Sequence, residues 1–286
     1  MSWTTFDIPT ADPIVSVVAT HDGLCAVSSK GNVFSGAWQR SLTKTRELGF
    51  EAGGAAWDDA GHRLLIAGRG RIATLRGSEV QIEPAGDGAA LRSLCGLGEG
   101  RWAAVGQNSV VAGILITGAP GRWEEVRLPG LSAGLYVVVY HRELGCLLAG
   151  QRGFLAWYRE GSLHRIASET LHPLRAAWPL DIGAVVAGGG WAQPMPIVLN
   201  VGGETATPLL TAAGERVICG ICRLGQQTWL AENRSSGQGW TGMVTILEEG
   251  RVAGRFEENT LNGITAIRDQ IVVWGSRGLV ATHSAA

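Results

Sequence analysis

Leu147-Leu148-Ala149-Gly150-Gln151-Arg152-Gly153-Phe154-Leu155-Ala156-Trp157 reads as an apolar run, a Gly-x-x-Gly turn and a second apolar run. Two short apolar segments around a glycine turn spell a β-hairpin, because glycine supplies the positive φ that a tight turn demands. The pattern recurs along the whole chain, and its spacing decides the fold. The last residue before the turn falls at Ser28, Gly68, Gly106, Gly150, Gly188, Glu232 and Gly275, giving gaps of 40, 38, 44, 38, 44 and 43 residues. A unit of roughly 40 residues accommodates four short strands and their turns, the content of one propeller blade.

Each unit reads internally as four strands. In the fourth, residues 135–140 form the innermost strand, 146–149 the second, 154–158 the third and 162–167 the outermost. The blades span roughly residues 10–48, 53–84, 90–129, 134–168, 173–210, 215–257 and 262–283, and the last has chain for only three strands. The N-terminal segment Trp3-Thr4-Thr5-Phe6-Asp7-Ile8-Pro9 repeats the form Trp-x-x-apolar-x-apolar-Pro of Trp123-Glu124-Glu125-Val126-Arg127-Leu128-Pro129, which occupies the outer-strand position of the third unit. Residues 3–9 are therefore expected to complete the last blade, pairing the two chain ends and covering an edge that an open sheet would expose. The predicted fold is all-β: a single-domain, seven-bladed β-propeller with four-stranded blades, the N-terminal strand completing the last.

Composition fits many thin strands. Of 286 residues, 45% are hydrophobic, 42 are glycine and only 17% are charged, for a net charge of −1. That balance gives no footing for nucleic acid or an anionic membrane as partner. The first residues lack a basic region followed by an apolar core, and no apolar stretch is long enough for a membrane helix, so the expected location is cytoplasmic. Five cysteines, an odd number, do not suggest a disulfide framework.

Catalytic and metal motifs are weak. Cys219-Gly220-Ile221-Cys222 has redox or zinc half-site spacing, but residues three apart in a strand point to opposite faces. Cys25, Cys95 and Cys146 read as small core residues, and Trp57 and Trp178 as core. His21 and His141 fall in turns after innermost strands and read as surface residues, while His172 lies in a connection between blades. Gly188-Gly189-Gly190 precedes no helix, which argues against a phosphate loop. Glu51, Asp87, Glu169, Glu215, Glu257 and Glu258 are scattered over loops, where two of them could meet as an acid/base pair at the channel mouth. No metal, cofactor or catalytic set is predicted. A hydrolase or lyase site at the channel mouth is one alternative function. A lectin is another, although repeated aromatic sugar sites would then be expected on every blade.

Two features point to binding. The turn between second and third strands carries a basic residue in five of seven units: Lys30, Arg69, Arg152, Arg234 and Arg277. In a propeller these turns share one face with the connections between blades, so they predict a ring of cations suited to an acidic ligand or protein surface. The competing reading is ordinary exposed turn residues. The hairpins of units five and six are longer and each carries a tryptophan. Trp191 and Trp240, with Gln193, Met195, Arg234 and Gln238, are expected to form an aromatic-walled patch for a protein partner, unless each Trp caps its own blade.

The hairpin 146–155 and the outer-strand form Gly121-Arg122-Trp123-Glu124-Glu125-Val126-Arg127-Leu128-Pro129 resemble the photosystem II stability/assembly factor-like repeats, related to the BNR-type propellers. The resemblance implies seven blades and a non-enzymatic assembly role. The basic turn residues are the positions it carries over to a binding surface. The namesake is exported and lipid-anchored; no matching leader is legible here. A partner-binding scaffold is accordingly the leading expectation.

Overall fold

A computed structural model describes residues 2–38, 41–191, 195–211, 214–236 and 239–284. They form seven four-stranded antiparallel sheets, one for each repeat. Blade one, for example, contains Ile14–Ala19, Leu24–Ser28, Asn32–Gly36 and Thr43–Glu47 from the channel outward. Among the described residues the only helical segment is the 3₁₀ turn Gln151–Gly153.

The recurring residue at the end of each second strand has a clear structural office. Ser28, Gly68, Gly106, Gly150, Gly188, Glu232 and Gly275 pair with Ile14, Ala52, Leu91, Leu135, Leu174, Ile218 and Leu261 of the seven innermost strands. In blades two, four, five and seven the residue after the marker then donates its N–H to the connection entering the same blade. Arg69 bonds Glu51 O at 2.9 Å, Gln151 bonds Gly134 O at 2.9 Å, Gly189 bonds Pro173 O at 3.0 Å and Ser276 bonds Thr260 O at 2.9 Å. That bond draws the carbonyl against the marker: a Cβ on Gly68, Gly150, Gly188 or Gly275 would collide with the same oxygen. Close backbone approach, rather than positive φ, explains these glycines.

Immediately after its paired residue, every innermost strand bulges. The unpaired residues are Val15, Gly53, Arg92, Tyr136, Arg175, Cys219 and Asn262. A bulge re-aims one side chain out of the strand's alternation.

The core lies between blades rather than around one centre. Leu147, Leu155 and Trp157 of blade four, for instance, pack with Leu174, Val186 and Leu199 of blade five. Polar groups also cross the seams. Fully buried Asn233 donates to Leu261 O at 2.8 Å and accepts from Leu261 N at 2.7 Å, tying blade six to blade seven. His141 is no surface turn residue. It is buried, with a ring nitrogen 2.9 Å from Asp181 O, because the neighbouring turn closes over it.

The ring closes as the N-terminal pattern predicts. Thr4 and Thr5 pair with Thr282 and Ala281 of the last strand, Val280–Ser284. Trp3 Nε1 donates to Ala253 O at 2.9 Å in the outer strand of blade six. Trp123 does the equivalent in blade three, donating to Glu83 Oε2 at 3.1 Å in the outer strand of blade two. Phe6 and Ile8 are buried beside Ile14, Leu24 and Val280.

Candidate functional site

The basic turns do gather on the face of the inter-blade connections, but most of their charge is spent internally. Lys30 Nζ lies 3.0 Å from Asp12, Arg69 3.6 Å from Glu51 and Arg277 3.3 Å from Glu258, each acid belonging to the connection that enters the same blade. Arg152 sits in the 3₁₀ turn at φ 53°, exposed and outside these ion pairs. Arg234 is not a turn residue. It lies within the strand Gln227–Ser236, in register with Thr241, because the ladder with Gly239–Ile246 continues to the Ser236↔Gly239 pair. The lengthened hairpin of blade six is thus a regular two-stranded ribbon.

That ribbon carries Trp240 to its neighbour. The Trp191 and Trp240 rings meet edge-to-face, with centroids 4.7 Å apart and planes at 74°. Trp191 and Met195 are each 40% exposed. Beside Trp240 opens a cleft of about 490 Å³ lined by Arg234, Met243, Arg255, Glu257 and Glu258. Gln193 and Gln238 lie outside the described residues. Ligand clefts commonly measure roughly 300–1,000 Å³.

The sequence reading looked to carboxylates at the channel mouth and missed the arginines and tyrosine there. Tyr136, from the bulge of blade four, has Arg92 of blade three 5.2 Å and Arg175 of blade five 5.0 Å from its ring centroid. The phenol is fixed from behind: Gln151 Nε2 donates to Tyr136 Oη and to Gln107 Oε1, both at 3.1 Å. Arg175 Nε donates to Gly189 O at 3.3 Å. The Cys219 thiol, next in the ring, is pushed up to about 11 by burial against the opposing pull of the Arg175 charge. The signal for this layer was available as the residue following each partner of the marker, but strand alternation alone hides it.

Below this layer the channel has a volume of about 660 Å³. Trp57 and Trp178, expected in the core, are half-buried along it and border Val18, Val139 and Ala177. Glu51 and Glu258, among the carboxylates expected to offer acid/base chemistry, are held by arginines. Cys219 occupies its bulge while Cys222 packs with Trp229.

These features define a seven-bladed β-propeller with an aromatic patch on its connection face and a polar ring at the channel mouth. No family model matches the chain, and no curated protein matches it. Among solved structures it is similar to the β-propeller domain of Cps50 (Swd1) from Myceliophteria thermophila, with a TM-score of 0.74 at 12% identity over 100% of both chains. The likeness is one of fold. No helix among the described residues is long and apolar enough to cross a membrane.

Proposed function

We propose that this chain is a non-catalytic propeller scaffold that binds a protein partner through its connection face, with Trp191 and Trp240 as anchors. The observation that carries the reading is the edge-to-face pair itself. Two tryptophans from neighbouring blades meet at 4.7 Å while one keeps 40% of its surface in water. A rigid, partly exposed aromatic beside a cleft of mixed charge has the makeup of an interaction hot spot. The propeller likeness to Cps50 (Swd1) is consistent with a scaffold. The reading takes the seven blades as one domain in the cytoplasm. It includes kinship with the photosystem II stability/assembly factor-like repeats, supported by the 146–155 hairpin and the outer-strand form of 121–129.

Affinity purification of the tagged chain from its source cell tests this, beside Trp191→Ala/Trp240→Ala and an Arg69→Ala control. A stoichiometric protein recovered with wild type and Arg69→Ala but lost with the tryptophan variant is the expected result. Each anchor is worth about thirtyfold in affinity. Equal recovery by all three baits, or no recovery, refutes the proposal.

A further inference from the structure

The geometry points to an anion-binding site at the mouth of the central channel, in which Arg92 and Arg175, braced by Tyr136, hold a carboxylate or phosphate group. The site is distinct from the tryptophan patch.

Three observations carry it. The first is placement: Arg92, Tyr136 and Arg175 are the bulge residues of three consecutive innermost strands, where a bulge turns the side chain out of the blade. The second is charge. Where Lys30, Arg69 and Arg277 on the outer ring each have a carboxylate, the ion pairs of the described residues include neither Arg92 nor Arg175. Arg92 and Arg175 therefore keep charge that no carboxylate in these pairs offsets. The third is preorganisation. Tyr136 is held by Gln151, which is held by Gln107, so the ring that both guanidiniums use is fixed before any ligand arrives. A guanidinium over an aromatic ring engages through its face, leaving in-plane N–H groups for bidentate bonding to an anion.

Spacing bounds the size of the ligand. With guanidinium carbons 5.2 and 5.0 Å from one centroid, the two lie at most about 10 Å apart, an upper limit that a small dianion can meet with one charged end at each. Gly53, the bulge residue on the far side of Arg92, carries no side chain because a Cβ there would collide with the Leu91 carbonyl. Asn262, across the ring, is tied to Ile14 O at 2.8 Å.

Isothermal titration at fixed ionic strength, with inorganic phosphate and with succinate as probes, tests the site in the full chain. Saturable one-to-one binding of either probe is expected. Arg92→Gln and Arg175→Gln should each weaken it by about tenfold or more, the usual consequence of losing a charged hydrogen bond. Arg69→Gln should change it less than about twofold, since that cation is exposed and already paired. A thermal melt of each variant checks folding, and Arg92→Lys, which keeps charge but not the fork, should give an intermediate loss. Preference for phosphate or for succinate identifies the source of the group. Trp191→Ala/Trp240→Ala should bind the probes as wild type does, so failure of the partner reading and failure of this one are separable. Absence of saturable binding, or undiminished binding in both glutamine variants, overturns the inference.

Discussion

Glu232 stands where five other blades carry glycine, and it is fully buried. Arg216 Nη1 reaches both its carboxylate oxygens at 3.2 Å. Burial raises the Glu232 carboxyl above its usual range and Arg216 opposes the rise, so desolvation outweighs the pairing. Arg216→Ala leaves this carboxylate buried without its partner and should cost about 3–5 kcal/mol in a urea melt near neutral pH. The sign of the pH dependence follows from the raised pKa. Between the unfolded value, about 4.3, and the higher folded one, the folded chain holds a proton that the unfolded chain has released. Stability therefore increases as pH falls through that window, and removal of Arg216 widens it. The deficit of Arg216→Ala relative to wild type should be smaller at pH 5 than at pH 8. An equal deficit at both would mean that Glu232 charge is not what Arg216 offsets.

At the scale of the element, the marker glycine and the bulge behind it form one device. Gly150→Ala pushes a methyl into the Gly134 carbonyl, the acceptor of Gln151 N, and should destabilise by about 1–3 kcal/mol. Gly96→Ala is the control. Its added methyl meets Trp102 at an ordinary 3.6 Å, so it should be neutral or stabilising by up to about 1 kcal/mol in the same melt. A Gly150→Ala variant as stable as Gly96→Ala would remove the close-approach explanation. The device also marks what the sequence could disclose. Apolar runs around Gly150 and Gly188 are local patterns, so strands and blade count were legible. The Arg92–Tyr136–Arg175 stack was not, because it joins residues 44 and 39 positions apart through bulges that break the two-residue alternation. Basic residues in the turns were legible, but their neutralisation depends on acids 18, 18 and 19 residues upstream, in connections that carry no strand pattern. The Trp191–Trp240 meeting was anticipated from two anomalous hairpins, whereas the ribbon presenting Trp240 was hidden by its serine- and glycine-rich sequence, which reads as a loop.

For the whole molecule, closure rests on the N-terminal segment. Two threonine pairs, the Phe6 N to Val280 O bond at 2.9 Å and the Trp3 bond to Ala253 lock the segment between blade seven and its neighbour. Trp3 also sits 5.3 Å from Phe256 and 5.2 Å from the His283 ring. Backbone pairing alone would be weak over so short a strand, so the side chains must supply most of the closure energy. Burying Trp3, Phe6 and Ile8 at about 1.5–3 kcal/mol each gives a contribution on the order of 5 kcal/mol. Deletion of residues 2–9 should therefore lower the urea midpoint markedly and expose the edge of Val280–Ser284, so that the shortened chain self-associates at concentrations where the full chain does not. A synthetic peptide of residues 2–9 added in trans should restore both the midpoint and the dispersed state. The same peptide with Trp3→Ala and Phe6→Ala should not, because it retains the main-chain donors and acceptors but not the apolar surface. Rescue by the substituted peptide would assign closure to backbone pairing. If deletion leaves the midpoint unchanged, the ring is held by the seams between blades, through contacts such as Asn233 to Leu261, without help from its clasp.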